Sequence, residues 1–279
     1  MKLLIFTQKV DRNDSVLGFF HTWIAEFAIK ADEVIVICLE KGEYDLPSNV
    51  TVYSLGKESN PRASLGIFRG LLDRVKYAIN LYHYLFIIRD SYDKVFVHMN
   101  PIYLVLCGWY WKITGVKSYL WYVHKKIDLK LIVSVLFADK VFTSSKESMR
   151  VPTNRVLYVG HGIDTNNFKY SSHLHKKNEL NLVHIGRLTK IKNIEVLIDC
   201  LYLLRQNNVN AFLYFFGDAS TKEDYLYKES IKEFIEKKGL KDHVYFKGSI
   251  VYNDLSNTLE NMHISVNMTP TGGMDKSVL

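Results

Sequence analysis

The feature that most constrains this chain is a repeated alternation. Short apolar runs of strand length, each ending in a polar or glycine-containing turn, are followed by longer segments with helical periodicity. The strand-like runs in the first part cover residues 3–7, 33–39, 50–55, 94–98, 118–124 and 140–143. Between them lie helical patterns over 19–30, 67–89, 101–114 and 129–137. The same rhythm returns with runs at 182–185, 212–216, 244–248 and 264–267, and helical patterns from 193, from 222 to 237 and from about 254. Runs that stay apolar at every position, with no in-out alternation, are those of strands buried on both faces. The expected class is therefore α/β, with parallel sheets covered by helices on both sides. Ligands on such sheets bind beyond the carboxyl ends of the strands, so the residues just past each run are the ones to watch.

At 279 residues the chain is long for one such domain and natural for two, and 48% hydrophobic residues suffice for two cores. The segment VLYVGHGID, starting at Val156, ends the first half in a turn where Gly162 can take a positive φ and Asp164 can cap or brace it. Residues 165–179, TNNFKYSSHLHKKNE, are polar and without periodicity, which marks a linker between units at 1–164 and 180–279. His173 and His175 within it are read as solvated rather than metal-binding.

Cys38, Cys107 and Cys200 lie far apart in apolar segments with no C-x-x-C pair, the pattern of reduced, buried thiols in a cytoplasmic protein. The opening MKLLIFTQKV is too short in its apolar part for a signal-peptide core, and the longest apolar run, 95–111, is broken by His98, Asn100 and Pro101. A net charge of +7 leaves nucleic acid or an anionic membrane open. The lysines are dispersed and no nucleic-acid-binding signature accompanies them, so nucleic acid is not expected as a partner. Residues 67–89, IFRGLLDRVKYAINLYHYLFIIR, form a basic, aromatic-rich amphipathic pattern. It is either a core-packing helix with a solvated basic face or a peripheral contact for the cytoplasmic face of a membrane.

The most informative stretch is NLVHIGRLTKIKNIEVLIDCLYLL, starting at Asn181. Leu182, Val183 and Ile185 form a buried strand ending in Gly186. Arg187 and Lys192 bracket a polar turn. Asn193 can cap the helix beyond it, where Ile194, Leu197, Ile198, Leu201 and Leu204 recur at helical spacing. A helix start exposes unpaired N–H groups and roughly half a positive charge; with a guanidinium fork and an ammonium beside it, the arrangement suits a diphosphate. Strand-to-helix turns with one or two polar residues are also common without any ligand.

The motif G-R-L-x-x-x-K-N followed by an apolar helix resembles the phosphate-binding signature of glycosyltransferase family 4. That resemblance implies a GT-B fold: two Rossmann-like domains with parallel sheets facing across a cleft. It implies that Arg187 and Lys192 hold the diphosphate of a nucleotide sugar, with Gly186 and Asn193 beside them. In the family a histidine ending the equivalent strand lies beside the transferred sugar, which points to His124, a residue that spacing alone marks only as able to bond a sugar hydroxyl or share a proton. Gly217-Asp218 resembles the strand-end glycine against which the nucleotide lies, and Lys247-Gly248 the turn bordering the base pocket. G-I-D with Phe168 resembles the family segment closing the first domain, with His161 in place of its usual asparagine.

On the acceptor side the candidates are Gly18, whose loop from Gln8 is either a ligand-approaching turn or a plain connector, and the pair His98 and Asn100. The pair either faces a cleft or includes a buried histidine satisfied by backbone. Residues 269–279, TPTGGMDKSVL, resemble the family segment that carries two glutamates. Aligned on Leu279, the first glutamate falls at Gly272, with Asp275 the nearest carboxylate, and the second falls one residue past Leu279. The resemblance thus implies a second domain that is incomplete in these 279 residues.

The expected function is retaining transfer of a sugar from a UDP- or GDP-type donor to a glycan or lipid-linked acceptor, in cell-surface polysaccharide synthesis. No D-x-D occurs to hold a metal over the diphosphate, so no metal and no cofactor are expected, and the charge of the leaving group falls to Arg187, Lys192 and the helix start. The alternative is an inactive nucleotide-binding or scaffold remnant of such an enzyme, which Gly272 in place of an acid would favour.

Overall fold

A computed structural model of the chain describes residues 1–59, 67–124, 126–162, 165 and 178–270. The chain forms two compact units, Met1–His161 and Gly162–Leu279. The first is a seven-stranded, all-parallel sheet in the order β3-β2-β1-β4-β5-β6-β7. Its strands are β1 (Lys2–Val10), β2 (Glu33–Lys41), β3 (Val50–Ser54), β4 (Lys94–His98), β5 (Lys117–Trp121), β6 (Lys140–Thr143) and β7 (Val156–Tyr158).

Helix α1 (Gly18–Lys30) covers one sheet face through Phe20, Ile24 and Ala28, packed with Leu3, Ile5, Val34 and Val36. Helices α2 (Ile67–Ile87), α3 (Ile102–Thr114) and α4 (Leu129–Phe137) cover the other, where Leu81, Leu85, Leu104, Trp111, Leu131 and Val135 pack on Leu4, Phe6, Val95, Val97 and Leu120. In β1, β2 and β4, residues on both faces are buried, which is why these strands read as continuous apolar runs. Gly108 on α3 is held against α4, since a Cβ there would lie 2.5 Å from the Cβ of Phe137.

Among the strand ends that differ from the sequence reading, two bear on the candidate residues. β1 runs on to Val10 because Lys9 and Val10 keep pairing with Glu40 and Lys41. The Lys9 ammonium there meets three carboxylates, Asp11 at 3.2 Å, Asp14 at 2.9 Å and Glu40 at 3.1 Å. β5 stops at Trp121, three residues short of His124: the Val123 N–H turns to the Met99 sulfur, at 3.2 Å, instead of a ladder partner.

The second unit is a four-stranded parallel sheet, order β10-β9-β8-β11, built of β8 (Leu180–Ile185), β9 (Ala211–Phe216), β10 (Val244–Gly248) and β11 (Ile264–Ser265). Helices α5 (Ile194–Gln206) and α6 (Lys222–Lys237) supply Ile194, Leu197, Ile198, Leu201, Ile231 and Ile235 to its core, and α7 (Leu255–Leu259) precedes β11. Helix α6 opens with a capping box in which Thr221 and Asp224 each bond the other's backbone N–H.

Three residue readings are corrected. Cys38 and Cys107 are buried, and burial pushes each thiol up to about 12, but Cys200 is exposed because it lies one turn beyond the outward Val196 on α5. Lys228, on the side that the periodicity of residues 222–237 turns to water, instead folds back to Asp218, Nζ to carboxylate 2.6 Å. Asn193 makes no side-chain cap to α5. Asp164, Phe168, His173, His175, Gly272 and Asp275 lie outside the described residues.

Candidate functional site

In a parallel sheet the ligand crevice forms where the strand order reverses, beyond the carboxyl ends. In the second unit that point lies between β8, which leads on to β9 and β10, and β11 on its other side. The G-R-L-x-x-x-K-N stretch is the segment leaving β8 there. The backbone is shaped by glycines ending three adjacent strands: Gly186 (φ +149°), Gly217 (φ +137°) and Gly248 (φ +75°).

Gly217 allows the closest approach. A Cβ on it would lie 2.0 Å from the Gly186 carbonyl oxygen, so only glycine lets β9 end against the start of the motif. The Gly217 N–H donates to the Gly248 carbonyl at 2.7 Å, and the Gly186 N–H to that of Phe216 at 2.8 Å.

Arg187 is exposed and, among the described residues, makes no ion pair. Lys192 is half-buried; its Nζ lies 3.6 Å from where a Gly186 side chain would begin, so the ammonium rests over the glycine turn. Lys190–Lys192 form a single 3-10 turn, after which Asn193 adopts a left-handed conformation (φ 48°, ψ 50°) and α5 begins.

The expectation that Asn193 caps α5 fails for a geometric reason. Its Nδ2 donates instead to the Met268 carbonyl at 3.0 Å, tying the start of α5 to the chain after β11. The free N–H of Ile194 is met by Tyr227, whose hydroxyl accepts from it at 3.2 Å and donates to Glu195 at 2.6 Å. Burial, then the bond to Glu195, push the Tyr227 hydroxyl pKa well above the usual range, keeping it a neutral donor. Beneath the turn, buried His184 bonds the Val266 carbonyl through Nδ1 at 3.0 Å and places Nε2 within 3.5 Å of the same Gly186 position.

Of the remaining donor-side candidates, Lys247 is exposed over the rings of Tyr245 and Tyr214, at 5.5 and 5.9 Å. Asp218, beside Gly217, is held below the usual carboxylate range first by Lys228 and further by the Ala219 N–H, with burial opposing. These residues therefore gather at one end of the second sheet: Gly186, Arg187, Lys192, Asn193, Gly217, Lys247 and Gly248.

In the first unit the sheet order reverses between β1 and β4. Asn100 stands there, donating to Gln8 Oε1 at 3.0 Å and linking the turn after β4 to the last third of β1. Met99, just before it, has φ +58°, strained for a side-chain-bearing residue, and no pattern in the sequence marks it. His98 takes the buried alternative, with a side-chain hydroxyl rather than backbone beside its Nδ1. It is 1% exposed, stacked on Phe20 at 3.8 Å, 3.3 Å from the Thr7 hydroxyl, and edged by Phe19 and Trp23. Gly18 is buried, and a Cβ on it would lie 3.0 Å from the Arg12 carbonyl oxygen of its own loop. His124 is exposed; its Nδ1 accepts from the Lys126 N–H at 3.0 Å, which places the proton of the neutral ring on Nε2.

Each unit is a parallel sheet with helices on its faces and polar groups at the carboxyl ends, and solved structures of the GT-B type of α/β protein match nearly the whole chain. They include Anabaena Alr3699/HepE in complex with UDP (18% identity, TM-score 0.67, covering 95% of this chain and 73% of that one). Sucrose-phosphate synthase from Thermosynechococcus elongatus matches at 12% identity and TM-score 0.71, over 99% and 77%. A mutant of S. aureus TarM in complex with fondaparinux, alpha-GlcNAc-glycerol and UDP matches at 11% identity and TM-score 0.67, over 99% and 82%. Residues 166–268, which hold the whole Gly186 motif, match the family described as Glycosyl transferases group 1. No curated protein matches the chain.

Proposed function

We propose that this chain transfers a sugar from a nucleoside diphosphate donor to a hydroxyl of a glycan or lipid-linked acceptor, with retention and without a metal ion. The observation that carries the reading is the placement of an exposed guanidinium and an ammonium around a glycine turn, at the reversal point of the second sheet, immediately before a helix start. The family match over the same residues supports it, as do structural neighbours whose names include UDP and a glycan.

Breaking the anomeric C–O bond leaves negative charge on the departing diphosphate. Arg187, Lys192 and the positive end of the α5 dipole stabilise that charge as it develops. Gly186, Gly217 and Gly248 let the diphosphate and nucleoside lie against backbone. His124, with its Nε2 proton free to donate, is assigned to a hydroxyl of the transferred sugar, and Asn100 to the acceptor. A role in cell-surface polysaccharide assembly fits an acceptor of this kind.

The test is release of nucleoside diphosphate with a panel of UDP- and GDP-sugars. Activity that Arg187→Ala abolishes supports the assignment. Turnover unchanged in that variant removes it, and nucleotide binding without turnover on any donor favours an inert nucleotide-binding protein.

A further inference from the structure

The three helices on one face of the first sheet are apolar on their outer sides as well as their inner ones. On α2 the inward residues Leu81 and Leu85 are buried, yet Leu72, Val75, Ile79, Tyr82 and Phe86 recur on the outside at spacings of three and four. Phe86 and Leu72 are each 69% exposed. The outer side of α3 adds Trp109 and Ile113, and that of α4 adds Leu129, Ile132 and Leu136. The helices are joined side by side. The Tyr82 hydroxyl donates to the Leu106 carbonyl at 3.0 Å, and α3 meets α4 at Gly108. Scattered exposed leucines need no explanation, but large apolar side chains spread over three adjacent helices mark a contact surface.

The charges on this surface say what it meets. Among the described exposed residues of the three helices the charged ones are Arg74, Lys76, Lys112 and Lys130, all cationic. The one acid in their spans, Asp73, is half-buried. Lys112 already pairs with Asp139 at 3.1 Å, and just past α2 Arg89 pairs with Asp90 and lies 4.7 Å over the Phe86 ring. A second copy of the chain presenting the same face would set cation against cation. An anionic bilayer complements both properties, taking apolar and aromatic side chains into the headgroup boundary and pairing the cations with lipid phosphates.

We infer that the outer face of α2, α3 and α4 docks on the surface of an anionic lipid bilayer. Among the described residues no helix is long and apolar enough to cross a membrane, so the contact is with the surface. This inference does not depend on the glycosyl-transfer reading.

The experiment is sedimentation of the full chain with vesicles of phosphatidylcholine, alone or with about one quarter phosphatidylglycerol. The chain binds the mixed vesicles at low salt and binds pure phosphatidylcholine much more weakly. Replacing Arg74→Gln and Lys76→Gln together weakens binding roughly 30-fold. Ile79→Gln, Phe86→Gln and Trp109→Gln each weaken it roughly tenfold. Lys140→Gln with Lys146→Gln, which removes the same charge from exposed sites off this face, leaves it nearly unchanged. Circular dichroism and urea midpoints confirm that the variants fold.

The inference is overturned if the chain fails to bind the mixed vesicles. It is equally overturned if the off-face pair weakens binding as much as Arg74 with Lys76, which would mean only diffuse charge attraction. Light scattering that shows a dimer broken by Phe86→Gln would assign the face to a second copy and overturn it too.

Discussion

Gly217→Ala tests how the phosphate-binding turn is built. The new methyl carbon would lie 2.0 Å from the Gly186 carbonyl oxygen, 2.6 Å from its carbon and 3.4 Å from the Arg187 nitrogen. Ordinary carbon–oxygen contact needs about 3.3 Å, so the Gly186–Arg187 peptide must retreat by roughly 1 Å or β9 must part from β8. Overpacking of this kind costs about 1–3 kcal/mol, and φ of +137° adds roughly 1–2 kcal/mol for a residue with a side chain. The expected total is about 2–5 kcal/mol.

Gly239→Ala is the matched control in the same unit. There φ is +69° and nothing lies within 4 Å of the added carbon, so only the backbone term of roughly 1 kcal/mol remains. Urea denaturation reads the stability difference and titration calorimetry with UDP or GDP reads the site. A shift of about 1 Å in the Arg187 backbone should weaken diphosphate binding, while the control binds normally. If Gly217→Ala matches the parent in both stability and affinity, the strand-end contact does not shape the site and the reasoning fails.

Tyr227→Phe removes the acceptor for the Ile194 N–H and the donor to Glu195. It should lower stability by about 1–2 kcal/mol in urea titrations and weaken diphosphate affinity by loosening the start of α5. In the first unit, burial acts against ionisation of Asp14 and Glu40. The Leu17 N–H and Lys9 outweigh it at Asp14, and Lys57 and Lys9 do so at Glu40, so both are held below the usual carboxylate range. Carboxyls lowered in the folded state stabilise it at pH values above their unfolded pKa and lose that effect as the pH falls through the folded one. Urea midpoints of the parent should therefore be level above about pH 5 and drop below pH 4. Lys9→Met should lower the midpoint near neutral pH and flatten that acid dependence.

The order of strands and helices was readable because buried parallel strands and one-faced helices impose different periods on the sequence; α6, for one, shows as a helix through the spacing of Tyr227, Ile231, Phe234 and Ile235. The Gly186 motif was readable for the same reason, since glycine, cations and helix start are contiguous in the chain. What sequence could not show depends on distant partners. Asn193 looks like a cap until Met268 competes for its amide, and Lys9 looks like loop until Glu40 and Asp14 arrive. The sequence leaves His98 open between cleft and core until Phe20 stacks on it, and the strain at Met99 leaves no trace in residue type.

The central claim is that Arg187 and Lys192 form a diphosphate site. The most direct measurement is the affinity gap between a nucleoside diphosphate and its monophosphate, by calorimetry, in the parent and in Arg187→Ala and Lys192→Ala. The account predicts a parent preference for the diphosphate of roughly tenfold or more, from charge-assisted bonds to the second phosphate, and its collapse in either variant. A preference that survives both substitutions would contradict it.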